Sequence, residues 1–118
     1  MNMFEGQKIP EEIQIYEVTE PVSFGALSRY DTVIRMISKI PKGRILILRK
    51  VKALNETDFH LLKSSCEQCY QIKIKLVLVG VQPQPLSLIK KDGLYDVVGP
   101  INIVDTVQQA LKRFEHVN

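Results

Sequence analysis

Two short apolar runs, Arg44–Leu48 ("RILIL") and Lys75–Val79 ("KLVLV"), constrain this chain more than any other feature. Each is short, dominated by Ile, Leu and Val, and bounded by charge or turn residues, the pattern of a strand covered on both faces. The second is followed by "GVQPQPLSLIKKDGL" (Gly80–Leu94), where Pro83 and Pro85 cannot extend a ladder because neither has an N–H to donate. Proline suits the first turn of a helix, whose N–H groups have no intrahelical partner. Leu86 and Ile89 then give an apolar side, Lys90 and Lys91 suit the negative end of the helix dipole, and Gly93 suits a left-handed cap. The stretch reads as strand, kinked loop and a helix of about two turns.

The same grammar extends along the chain. Residues 1–10 read as a tail or linker, and the folded unit as residues 11–118. Ile13, Ile15 and Val18 alternate with polar residues as in a half-buried strand, and Glu20-Pro21 marks a turn into a second strand, Val22–Phe24, so a hairpin is expected. Leu27, Tyr30, Val33, Ile34, Ile37 and Ile40 are spaced for one helical face that ends at Pro41. In "ALNETDFHLLKSSCEQCY", Asn55 is an N-cap, Asp58 resembles the far end of a capping box, and Phe59, Leu62, Cys66 and Cys69 form the buried stripe. A weaker strand is expected near Val97–Ile101. A last helix starts around Asp105 and buries Val107, Ala110, Leu111, Phe114 and Val117. Helices alternating with strands predict an α/β fold, with a mostly parallel sheet opened by an antiparallel hairpin, about five strands and four helices.

At 118 residues the chain suffices for one domain with its own core. A net charge of +3, without aromatics interleaved among the basic residues, argues against nucleic acid as a partner. No apolar run approaches the roughly 20 residues of a membrane span, and "MNMFEGQKIP" lacks the regions of a signal peptide. The chain by itself is therefore read as soluble and cytosolic.

Little in the sequence points to catalysis or a cofactor. The six glycines fall in no phosphate-loop spacing, and no Gly-x-Ser-x-Gly elbow occurs. Cys66 and Cys69 form a CxxC late in a helical pattern, away from the helix N-terminus that lowers a thiol pKa, so they are read as core side chains. With only His60 and His116 as further soft ligands, no metal site is assigned. His60 reads as a surface or boundary residue, and Glu11-Glu12 as a solvated pair. Lys42, Arg44, Arg49, Lys50 and Lys52 bracket the Arg44–Leu48 strand and read as a solvated rim, the alternative being a face toward an anionic membrane or an acidic partner.

Three stretches in this order resemble the STAS domain (sulfate transporter and anti-sigma factor antagonist), in the form found as the C-terminal cytoplasmic domain of SulP-type anion permeases. "IQIYEVTEPVSFGAL" is similar to the family's opening hairpin, and "ALNETDFHLL" occupies its signature loop. "GVQPQPLSLIKKDGL" is similar to the permease branch's strand-to-helix passage. The likeness covers roughly residues 11–117 and implies a non-catalytic regulatory domain on the cytoplasmic side of the cell membrane, with no cofactor. The implied partners are the transmembrane domain of the same transporter, outside this chain, and a cytosolic regulatory protein. A free-standing anti-sigma factor antagonist-like module and a nucleotide- or metabolite-sensing module are the alternatives. The implied regulatory loop is Asn55, Glu56, Thr57 and Asp58. Where antagonists carry a phosphorylated serine this chain has Glu56, which accepts no phosphate ester, while Thr57 offers a hydroxyl one place along. An acidic first turn is also what the helix dipole favours, by about 0.3–1 kcal/mol. Helix capping and a built-in mimic of the phosphorylated charge thus both stand as readings of the loop.

Overall fold

The computed structural model describes residues 2–19, 24–27, 29 and 40–115. Four strands, β3 (Ile13–Glu17), β4 (Gly43–Ile47), β5 (Lys75–Val79) and β6 (Ile103–Val104), form one parallel sheet in that order. Ile13 pairs with Gly43, Gly43 with Lys75, and Leu78 with Ile103. The two apolar runs form the two central strands, where both faces are covered. Their residues alternate between two cores as the pleat requires. Leu46, Leu76 and Leu78 join one cluster, and Ile45, Ile47, Val77 and Val79 the other.

Helices α1 (Glu56–Gln71), α2 (Pro83–Asp92) and α3 (Leu94–Val98) cover the first face with Leu62, Cys66, Cys69, Ile89, Leu94 and Val98. The second is covered by α4 (Val107–Lys112), through Val107 and Ala110, and by Phe114 just beyond it. A complete capping box starts α4: Gln109 N–H donates to Thr106 Oγ1 at 3.1 Å, and Gln109 Oε1 accepts from Thr106 N–H at 3.2 Å. Lys75 Nζ donates to the Arg113 carbonyl and lies 5.5 Å from the Phe114 ring centroid, tying the end of this helix to the sheet. Burial, with Arg113 adding to it, lowers the Lys75 pKa.

The antiparallel hairpin lies elsewhere than expected. β1 (Asn2–Phe4) and β2 (Gln7–Ile9), in the segment read as a tail, pair across Glu5-Gly6, both with positive φ (49° and 78°), as a type I′ turn needs. Ile9 is fully buried in the second core. β3 instead pairs in parallel with β4, and Phe24 is helical, as are residues through Leu27, which corrects the strand expected to end at Phe24. Val22 and Ser23 lie outside the described residues, as do Tyr30 to Ile37 of the next expected helix and Val117 of the last. Ile40 is exposed and outside any helix. The alternation in β3 also serves two cores rather than one, since Tyr16 and Val18 pack on the first and Ile13 and Ile15 on the second.

The strand expected at Val97–Ile101 is a second correction. Gly93, at φ 92°, ends α2 and restarts the chain as α3, placing Leu94 and Val98 one helical turn apart in the core. A 3-10 turn at Pro100–Asn102 follows, with Asn102 Nδ2 donating to the Val98 carbonyl at 2.9 Å, and β6 comes only then. Packing overrides the β preference of the two valines here. Among the described residues no helix is long and apolar enough to cross a membrane.

Candidate functional site

The Asn55–Asp58 loop stands beyond the C-terminal ends of the sheet strands, the edge at which open α/β sheets bind their ligands. β4 leaves the sheet through Leu48, whose N–H donates to the Val79 carbonyl at 2.8 Å, and turns as Val51 N–H donates to the Leu48 carbonyl at 3.0 Å. Asn55 is extended and accepts the Asp58 N–H on Oδ1 at 2.7 Å, so the expected N-cap forms. The reciprocal capping-box bond, from Asn55 N–H to the Asp58 carboxylate, is absent among the described residues. The loop is thereby divided. Glu56 and Thr57 are exposed, while Asp58 is 8% exposed and lines a cavity of about 240 Å³ with Thr19, Phe24, Lys50, Val51, Lys52, Ala53 and Leu54.

The Gln-Pro repeat holds this loop from the neighbouring strand. Gln84 makes a two-bond amide pair with Leu54, accepting its N–H at 2.8 Å and donating to its carbonyl at 3.1 Å. Gln82 Nε2 donates to the Arg49 carbonyl at 2.8 Å. The prolines start the helix, and the glutamine before each of them reaches across to the backbone on either side of Val51–Ala53. Sequence reasoning missed this role, although alternating amides at a proline-led helix start on the edge where ligands bind were its visible signal. Gln84→Leu is expected to lower stability by about 2 kcal/mol, because both Leu54 backbone groups lose their partner. Chemical denaturation checks this, and faster amide exchange at Leu54 should accompany it.

The basic set does not form one rim. Arg44 is 1% exposed, inside the first core, with Nε and Nη2 each 3.1 Å from Gln14 Oε1 and Nη1 3.1 Å from Ser65 Oγ. The reason is register: Arg44 shares the parity of Leu46 and so points beneath α1, which supplies Ser65. Arg49 pairs with Glu5 of the β1–β2 turn, and its Nε lies 3.4 Å from Glu17 Oε2. The Arg49–Glu5 hydrogen bond holds the Glu5 carboxyl below its ordinary pKa and raises that of Arg49. Lys50 Nζ is 4.0 Å from the same Glu17 oxygen, while Lys42, Lys50 and Lys52 are all exposed. Arg49 thus joins the hairpin to the root of the loop. As an exposed contact it adds little stability.

The model of the STAS domain family matches residues 7–110, most of the chain. The chain belongs to the STAS domain family. It is 27% identical over 94 residues to a putative sulfate transporter, YvdB, of Bacillus subtilis (strain 168), covering 79% of this chain and 18% of the relative. It therefore spans less than a fifth of the length of that curated relative. Among solved structures it resembles a sulfate transporter family protein from Wolinella succinogenes (TM-score 0.78, 27% identity, 94% of this chain and 91% of that one). It also shares the fold of the STAS domain of a SulP transporter from Vibrio cholerae (TM-score 0.80, 24% identity, 90% of this chain and 83% of that one).

The other chemistry-bearing residues of this STAS domain lie away from the loop. Cys66 and Cys69 are buried on the core side of α1, as their spacing predicts. His60 is exposed on the same helix, and Glu11 and Glu12 are exposed before β3. His116 lies outside the described residues. Among the described residues no three His, Cys, Asp or Glu side chains gather as a metal site.

Proposed function

We propose that this STAS domain is the cytoplasmic regulatory and protein-interaction domain of a SulP-type transporter of sulfate or a related anion. The observation that carries the reading is the match to the Bacillus putative sulfate transporter, in which most of this chain corresponds to a small share of a much longer protein. On this reading the domain catalyses nothing, carries no cofactor and moves no ion itself. Its first partner is the transmembrane domain of the same transporter, outside this chain, and its second a cytosolic regulatory protein. The contact surface is the loop Asn55, Glu56, Thr57 and Asp58, where exposure of Glu56 and Thr57 at a helix start supports the assignment.

Anion uptake by the longer transporter carrying Glu56→Ala, Glu56→Ser or Thr57→Ala tests this, with melts of the corresponding isolated domains alongside. Capping alone accounts for a loss of up to about 1 kcal/mol from the Glu56 changes and none in transport. The regulatory reading expects uptake or partner binding to shift by more than the melts explain. Normal uptake in proportion to protein level for all three variants would overturn the regulatory role of the loop.

A further inference from the structure

The cavity beneath the loop is lined by the one residue of that loop that turns inward. Asp58 is more than nine-tenths buried and lines the cavity, while only its backbone N–H is engaged, by Asn55. Among the described residues no hydrogen bond or ion pair reaches its side chain. Its carboxylate is therefore open to the cavity and free to accept from a ligand that enters it. Phe24, Val51 and Leu54 are buried and give the cavity an apolar wall, and the ammonium groups of Lys50 and Lys52 belong to exposed side chains of its lining. Lys50 is within 4.0 Å of Glu17, whereas Lys52 has no ion-pair partner among the described residues. The volume of about 240 Å³ falls below the roughly 300–1,000 Å³ of pockets for drug-sized ligands, which suits a molecule of amino-acid size.

We propose that this cavity binds a small zwitterion, its ammonium on Asp58, its anionic end on Lys52 and Lys50, and a short apolar body against Phe24, Val51 and Leu54. The assignment stands apart from any effect of the loop on transport, and its test needs only the 118-residue chain. The isotope-labelled chain is titrated to millimolar levels with L-valine and L-leucine, and in parallel with propylammonium and isobutyrate as the two half-ligands. Saturable shifts of the Lys52, Leu54 and Asp58 amides are expected with the amino acids, and weaker binding of each half-ligand. Asp58→Asn should weaken L-valine binding about tenfold or more, through loss of a charge-assisted hydrogen bond. Lys52→Gln, at an exposed position, should weaken it about threefold. Absence of saturable shifts with both amino acids overturns the proposal, as does propylammonium binding as tightly as L-valine. So does unchanged affinity in an Asp58→Asn variant that melts like the parent. Should that variant melt early, unchanged affinity in Lys52→Gln overturns it instead.

Discussion

Arg44→Ala is expected to lower the melting temperature by roughly 10–20 °C. The side chain is buried between sheet and helix, and its guanidinium donates to Gln14 and Ser65 across sequence separations of 30 and 21 residues. Truncation opens a cavity and leaves those oxygens without their donors, together about 3–5 kcal/mol. Arg44→Met separates the two contributions. It keeps most of the volume and removes the donors, so a loss nearer 2 kcal/mol is expected. Arg44→Lys keeps the charge without the planar fork and should fall between alanine and the native residue. Calorimetric melts of the three variants check the order. If all three melt like the parent, the guanidinium lies in solvent and the register of β4 given above is wrong.

Gly80→Ala is expected to destabilise by about 2–4 kcal/mol, combining a left-handed backbone with overpacking. Gly80 has φ +70°, and an added Cβ would lie 2.7 Å from Arg49 Cβ and 3.2 Å from Arg49 Cα. The close approach lets the turn after β5 rest on the root of the loop, so that Gln82 reaches the Arg49 carbonyl. Gly93→Ala is the control. Its φ is +92°, but nothing lies within 4 Å of the added atom, so only the backbone strain of about 1–2 kcal/mol remains. Denaturant midpoints for the pair measure the contact itself. Equal losses would mean that the approach of Gly80 to Arg49 contributes nothing.

Local chemistry was legible wherever one stretch of chain settles its own conformation. The two apolar runs became β4 and β5 because a short Ile/Leu/Val segment satisfies two cores only at the centre of a sheet. Asn55 caps α1 because its side chain needs to reach only three residues ahead, and Pro83 and Gly93 bound α2 through their own backbone geometry. The candidate site was legible in part. The sequence located Asn55–Asp58 at a helix start but not the turning of Asp58 inward, which depends on Thr19, Phe24 and Leu54 being brought around it by β3, the following helical segment and β4.

Partners distant in sequence decided the rest. Residues 2–9 carry no strong strand pattern, yet they pair because Ile9 finds a pocket against α4 and Glu5 finds Arg49, 44 residues away. Arg44 looked like rim charge because composition cannot say which way a residue at the start of a strand faces, and parity with Leu46 put it under α1. Val97 and Val98 favoured a strand by propensity, but the left-handed Gly93 and the core contacts of Leu94 and Val98 made that segment a helix. The glutamines of the repeat acquired their role only when the parallel sheet set the turn after β5 beside the turn after β4, so that side chains 30 residues distant could pair with the Leu54 backbone. The two central strands, the Asn55 cap and the Pro83 and Gly93 bounds of α2 follow from short-range sterics and hydrogen bonding, which the sequence by itself determines. Which polar side chain is buried, and against which backbone it is spent, follows from the order of strands in the sheet, which only the tertiary structure decides.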